Sequence, residues 1–217
     1  MWRTAGGGAW LVEPTGVTTN LNGVWGSAPG DVYAVGDRIA GSGDVHSIFH
    51  SPGDGTWATQ DLPPLDVMVS QLLGIWGSGP SDVYVVGALG TILHSKGDGV
   101  WVAQASGTTS DLLSIWGSSA TDVWVGGVGG TLLHSTGDGA WSAQKVPTAD
   151  PIAAVWGSGA ADVWLLTATC LLAHSTGQGD WAITDSPGGT LCASLWGSGP
   201  HDLYFVGAGG EIQHRRR

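Results

Sequence analysis

Cations are scarce in this chain: seven Lys and Arg stand against 18 Asp and Glu, and three of the seven are the terminal Arg215, Arg216 and Arg217. No basic stripe is left to meet phosphates or an anionic membrane surface, so neither nucleic acid nor membrane is expected as a partner. Lys, Glu and Met number two each, which removes much of the usual material of helix surfaces. Long apolar runs are missing too. Nothing approaches the roughly 20 residues of a membrane-spanning helix, and the opening "MWRTAGGGAW" lacks the apolar centre of a secretory leader. Cysteine is limited to Cys170 and Cys192. No P-loop, dinucleotide fingerprint or zinc-ligand spacing occurs, so no cofactor and no metal are expected.

What is abundant is Trp, 13 residues, and Gly, 38. Aromatics and turn residues without helix formers point to an all-β chain. The Trp residues are also periodic. "WGS" begins at Trp25, Trp76, Trp116, Trp156 and Trp196, and an Asp follows each Trp by six residues, at Asp31, Asp82, Asp122, Asp162 and Asp202. A His follows in each copy, at His50, His94, His134, His174 and His214. Five copies, four of them at a 40-residue period, define repeats rather than sites.

One copy contains four short strand signals, "LLGIW", "DVYVVG", "TILHS" and "VWVAQ", separated by Gly, Ser, Pro and Asp. Four strands per repeat, apolar on both faces, describe a β-propeller blade. The expected fold is a single five-bladed propeller, with blades at roughly 20–60, 71–104, 111–144, 151–184 and 191–214. The last blade supplies only three strands, and "TAGGGAW" matches "SKGDGVW", so residues 4–13 are expected to complete it and close the ring. Two residues before each repeat Trp sit Gly23, Gly74, Ser114, Ala154 and Ser194, small enough for crowded innermost strands.

The repeat resembles the WGSxxxDV[YW]xVG propeller repeats of bacterial secreted and surface proteins. More distantly, "SPGDGTW" and "STGDGAW" are similar to the Asp-box hairpins of sialidase-like propellers. The resemblance implies an extracellular, cell-surface or periplasmic protein. A sialidase would need clustered Arg to hold its substrate, and away from the terminus only Arg3 and Arg38 are present.

Ser, His and Asp in every copy invite a catalytic-triad reading. Repetition argues against it, because an active site needs its constellation once while a blade needs its frame every time. The repeated Ser and Asp are therefore read as closing turns through backbone amides, and the His as bonded to a neighbouring turn. Asp54, Asp98 and Asp138 of the "GDG" hairpins are read as turn residues rather than calcium ligands. No catalytic residue is assigned.

Function is then expected where the copies disagree. Blade one inserts seven residues within Asp37 to Phe49, and the following connection is lengthened between Asp61 and Gln71. Cys170 and Cys192 fall in adjacent blades at the same end of the disc, either as a disulfide or as two buried thiols. The position five before each repeat Trp reads Asn20, Gln71, Asp111, Pro151 and Leu191, polar only in blades one to three. Asn20, Asp37, Arg38, Asp44, His46, Asp66, Gln71 and Asp111 are thus the candidate ligand-binding residues. The expected function is a non-catalytic, monomeric binding module, lectin-like for a neutral glycan. The alternatives are a protein-interaction platform and, more weakly, a hydrolase using the same acidic site.

Overall fold

The structure is a computed structural model that describes residues 2–4, 10–37, 48–64, 71–177, 179–184, 188–189 and 191–216. The described residues are all-β apart from three-residue 3-10 turns, and no helix among them is long and apolar enough to cross a membrane. After an N-terminal hairpin, β1 (Trp2–Thr4) and β2 (Trp10–Val12), the chain forms five antiparallel sheets in sequence order. Blade one is β3 (Leu21–Ala28), β4 (Asp31–Gly36), β5 (Ile48–Ser51) and β6 (Ala58–Thr59). Blade two is β7 (Leu72–Gly79), β8 (Asp82–Gly87), β9 (Ile92–Ser95) and β10 (Trp101–Gln104). Blade three is β11 (Leu112–Ser119), β12 (Asp122–Gly127), β13 (Leu132–Ser135) and β14 (Ser142–Ala143). Blade four is β15 (Ile152–Gly159), β16 (Asp162–Thr167), β17 (Leu172–Ser175) and β18 (Ala182–Ile183). Among the described residues blade five has three strands, β19 (Cys192–Gly199), β20 (Asp202–Gly207) and β21 (Ile212–Arg216).

Each repeat has one register. In blade three Trp116 faces Trp124, which faces His134; in blade two Trp76 faces Tyr84, which faces His94. Successive sheets stack face to face, and four separate apolar cores lie between them. Tyr33, Val35 and Ile48 of blade one meet Leu72, Val83, Val85 and Leu93 of blade two, and the same positions meet at the next three junctions. Strands buried on both sides in this way need no polar alternation, which is why the sequence shows so little of it.

The innermost strands are joined by one repeated close approach. In blades one to four the repeat Trp lies over the Gly that follows the Trp of the next blade. A Cβ at Gly77 would stand 2.7 Å from the Trp25 ring, at Gly117 2.6 Å from Trp76, at Gly157 2.5 Å from Trp116 and at Gly197 2.5 Å from Trp156. The "WG" of the repeat is therefore two halves of neighbouring contacts, with Trp facing forward and Gly receiving from behind.

The strand expected to complete blade five pairs elsewhere. Trp10, Leu11 and Val12 lie opposite Thr4, Arg3 and Trp2, and among the described residues β21 has β20 as its one strand partner. A strand beside its own hairpin neighbour loses little loop entropy on pairing, whereas pairing with β21 joins opposite ends of the chain.

Gly117→Ala is expected to destabilise the fold by about 1–3 kcal/mol in urea unfolding, through overpacking against Trp76. Gly79→Ala, where a Cβ would meet nothing within 4 Å, is expected to change stability by no more than about 0.5 kcal/mol.

Candidate functional site

The repeated polar residues form one bonded unit in every blade. Ser27, Ser78, Ser118 and Ser198 each donate to the Oδ2 of the following Asp at 2.5 Å, and Ser158 does so at 2.6 Å. The other oxygen of the same carboxylate holds the His ring: His50 Nε2 lies 2.9 Å from Asp31, and His94, His134 and His174 lie 2.8 Å from Asp82, Asp122 and Asp162. His214 is bonded to Asp202 in the same way. Each imidazole also stacks on the aromatic residue beside it, with ring centroids 4.2 Å apart for Tyr84–His94, Trp124–His134 and Trp164–His174. The partners found for these Asp are thus side chains on the first and third strands, joined in blades three and four by Trp124 and Trp164 of the second strand, where the sequence suggested turn amides.

This arrangement ties three strands of a blade together and is not nucleophilic machinery. In a triad the imidazole contacts the hydroxyl and removes its proton. Here the carboxylate stands between them, with hydroxyl and imidazole on opposite oxygens. Burial pushes the carboxyls of Asp122 and Asp162 up, but hydrogen bonds from Ser, His and Trp outweigh it and hold both below the ordinary value. At Asp202 the bonds from Ser198 and His214 act in the same direction. Beside Asp82, burial first and the carboxylate second push the Tyr84 phenol up to about 12.

The second-to-third strand turns and the strand entries share one end of each blade. The backbone carbonyls of Asn20, Gln71, Asp111, Pro151 and Leu191 accept from the amides of Asp37, Ala88, Val128, Ala168 and Ala208. Five equivalent bonds therefore anchor each second-to-third strand turn to the strand entry of the same blade. Side chains differ on this common backbone. In blade one Asn20 Nδ2 donates to Asp37 Oδ2 at 2.7 Å, and Asn22 Nδ2 donates to Asp37 Oδ1 at 2.9 Å. Asn22 Nδ2 also reaches the Leu72 carbonyl of blade two at 3.0 Å, and Asp37 forms an isolated antiparallel bridge with Gln71. A cavity of about 420 Å³ opens along Leu21, Asn22, Gly23 and Val24 beside this cluster.

The structure thus brings Asn20, Asp37 and Gln71 together at the junction of blades one and two. Asp111 is placed apart. Its Oδ1 accepts the Leu89 amide at 2.9 Å and so holds the left-handed turn of blade two, where Leu89 has φ 55°. Arg38, Asp44, His46 and Asp66 lie outside the described residues, as do most of the blade-one insertion and part of the lengthened connection. Sequence reasoning missed Asn22, although a signal was present: the equivalent residues are Leu73, Leu113, Ala153 and Ala193.

At the other side of the same end, Cys170 and Cys192 form a disulfide, with their Cα atoms 5.1 Å apart. It fastens the second-to-third turn of blade four to the first strand of blade five. Thr169 beside it donates to Asp150 at 2.6 Å.

No family model matches the chain, and no curated protein matches it. Similar solved structures are propellers. YCF48 from Cyanidioschyzon merolae has a TM-score of 0.71 at 17% identity, covering 99% of this chain and 73% of that one. The WD40 β-propeller domain of Doa1 gives 0.71 at 10% identity, covering 91% of this chain and 65% of that one. A structure of YCF48 bound to D1 peptide gives 0.55 at 12% identity over 92% of this chain and 78% of that one. Identities this low carry the fold alone.

Two outcomes follow. Replacing both cysteines by Ser is expected to lower unfolding free energy by about 2–4 kcal/mol, measured in denaturant without reductant. The depressed Asp122, Asp162 and Asp202 carboxyls contribute stability that is fully present above their unfolded value of about 3.9. That contribution is lost as pH falls through the lower folded values, so unfolding midpoints are expected to drop steeply below about pH 4. Asp122→Asn is expected to flatten this acid limb in a pH series of urea melts.

Proposed function

We propose that this chain is a non-catalytic propeller binding module that takes a peptide segment of a protein partner at the junction of blades one and two. The observation that carries this is the cluster of Asn20, Asn22, Asp37 and Gln71, where polar side chains replace the regular repeat next to an open cavity. Asp37 is engaged by two amide donors, which leaves the amide oxygens of Asn20 and Asn22 to accept from a ligand. Acceptors on a surface of net charge −11 suit a segment rich in backbone N–H, Lys or Arg donors. The peptide complex of the YCF48 neighbour supports this use of a propeller.

A neutral glycan is the second reading, favoured by the small cavity along Asn22, whose side-chain amide suits polyol hydroxyls. The disulfide supports an oxidising compartment, namely the extracellular space, the cell surface or the periplasm.

Selection from a displayed random-peptide library on the intact protein tests the proposal. Selected peptides should be enriched in Lys and Arg and should bind more weakly as salt rises. Asn22→Leu, which restores the residue of blades two and three, should weaken them roughly tenfold, or about 1.4 kcal/mol, without lowering thermal stability. Binding to a glycan panel with no peptide enrichment would replace this reading by the second.

A further inference from the structure

The two ends of the blade series expose complementary halves of the contact that joins every internal pair. In blades one to four the repeat Trp is half-buried, but Trp196 of blade five is 58% exposed. Val206 and Ile212, whose counterparts Val35, Val86, Leu166, Ile48 and Ile92 are buried, are 40% and 72% exposed. The receiving Gly is buried in blades two to five, at Gly77, Gly117, Gly157 and Gly197, whereas Gly26 of blade one is exposed. Val24 beside it is 60% exposed, while Val155 and Leu195 at the same position are buried.

The N-terminal hairpin adds a second, independent observation. Thr4 opposite Trp10 and Arg3 opposite Leu11 repeat the register of Ser95 opposite Trp101 and His94 opposite Val102. Glu13 takes the corresponding place against blade one: Trp57 Nε1 donates to Glu13 Oε2 at 3.0 Å, as Trp141 Nε1 donates to Gln104 Oε1 at 2.8 Å. The segment Trp10–Glu13 thus stands to β1 and Trp57 as Trp101–Gln104 stands to β9 and Trp141. Among the described residues, blade five is the blade without a fourth strand.

We propose that blade five of one copy docks on blade one of a second copy, head to tail. Trp196 then covers Gly26, Val206 and Ile212 are buried near Val24, and β21 replaces the short β1 beside β2 of the second copy. In the shared register Trp10 would face Arg215 and Leu11 would face His214. Charge favours the same pairing, since β21 carries Arg215 and Arg216 and the protein that receives it is strongly acidic. An interface of this kind joins different surfaces on the two partners, so it builds rings or open chains rather than two-fold dimers. The monomer expected from the sequence is the alternative outcome.

Light scattering on the intact chain over a dilution series, with hydroxyl-radical footprinting of Trp196, tests the proposal. Mass should rise with concentration above that of one chain, and Trp196 should become protected in parallel. Val24→Asp and Trp196→Asp each spoil one end at an exposed residue, so either variant alone should stay monomeric and folded. Mixed together they should form one-to-one dimers through the two intact ends and grow no further. A monomer at every concentration overturns the proposal, whether Trp196 is reactive or is protected by closure within one chain. A mixture that fails to dimerise overturns it as well.

Discussion

The contact on which this molecule depends is a Trp ring lying on the glycine of the next blade. It recurs at four junctions, with a notional Cβ only 2.5–2.7 Å from the ring. Glycine is thus required by space rather than by backbone freedom. Around each such contact an apolar core forms from one face of a blade and the opposite face of the next. Burial of aromatic and aliphatic surface is the largest favourable term available to a fold with few long-range backbone pairings between sheets.

Within a blade a different interaction does the organising. Ser, Asp and His link the first, second and third strands through one carboxylate, and the imidazole stacks on the central aromatic ring. Such a bonded set fixes register, because a slip of one residue would turn His and Asp to opposite faces. Its chemistry is spent on structure. The proposed binding site lies instead where the common backbone carries unlike side chains, above all Asn20, Asn22 and Asp37.

Much of this was legible in the sequence because repetition separates frame from variation. The five repeats and the antiparallel strand order within each follow from Trp, Asp and His spacing alone. Asn20, Asp37 and Gln71 could be named for the same reason. Asp111 was grouped with them by position, but its side chain turns to the Leu89 amide of the preceding blade, a contact between repeats that spacing within one repeat does not reveal. Asn22, three residues before Trp25, falls between the positions two and five before Trp that were compared across the repeats. The pairing of Trp10–Val12 with Trp2–Thr4 was hidden for a further reason: one sequence match fits both the hairpin formed and the ring closure expected.

Blade five separates the two interactions, since its Ser198–Asp202–His214 set is complete while its forward face is uncovered. Hydrogen exchange of the intact chain at high dilution therefore tests whether stacking between blades, rather than bonding within them, holds the structure. The account predicts that amides of β20 and β21 exchange much faster than those of β16 and β17 in blade four. Equal protection of the two blades would contradict it.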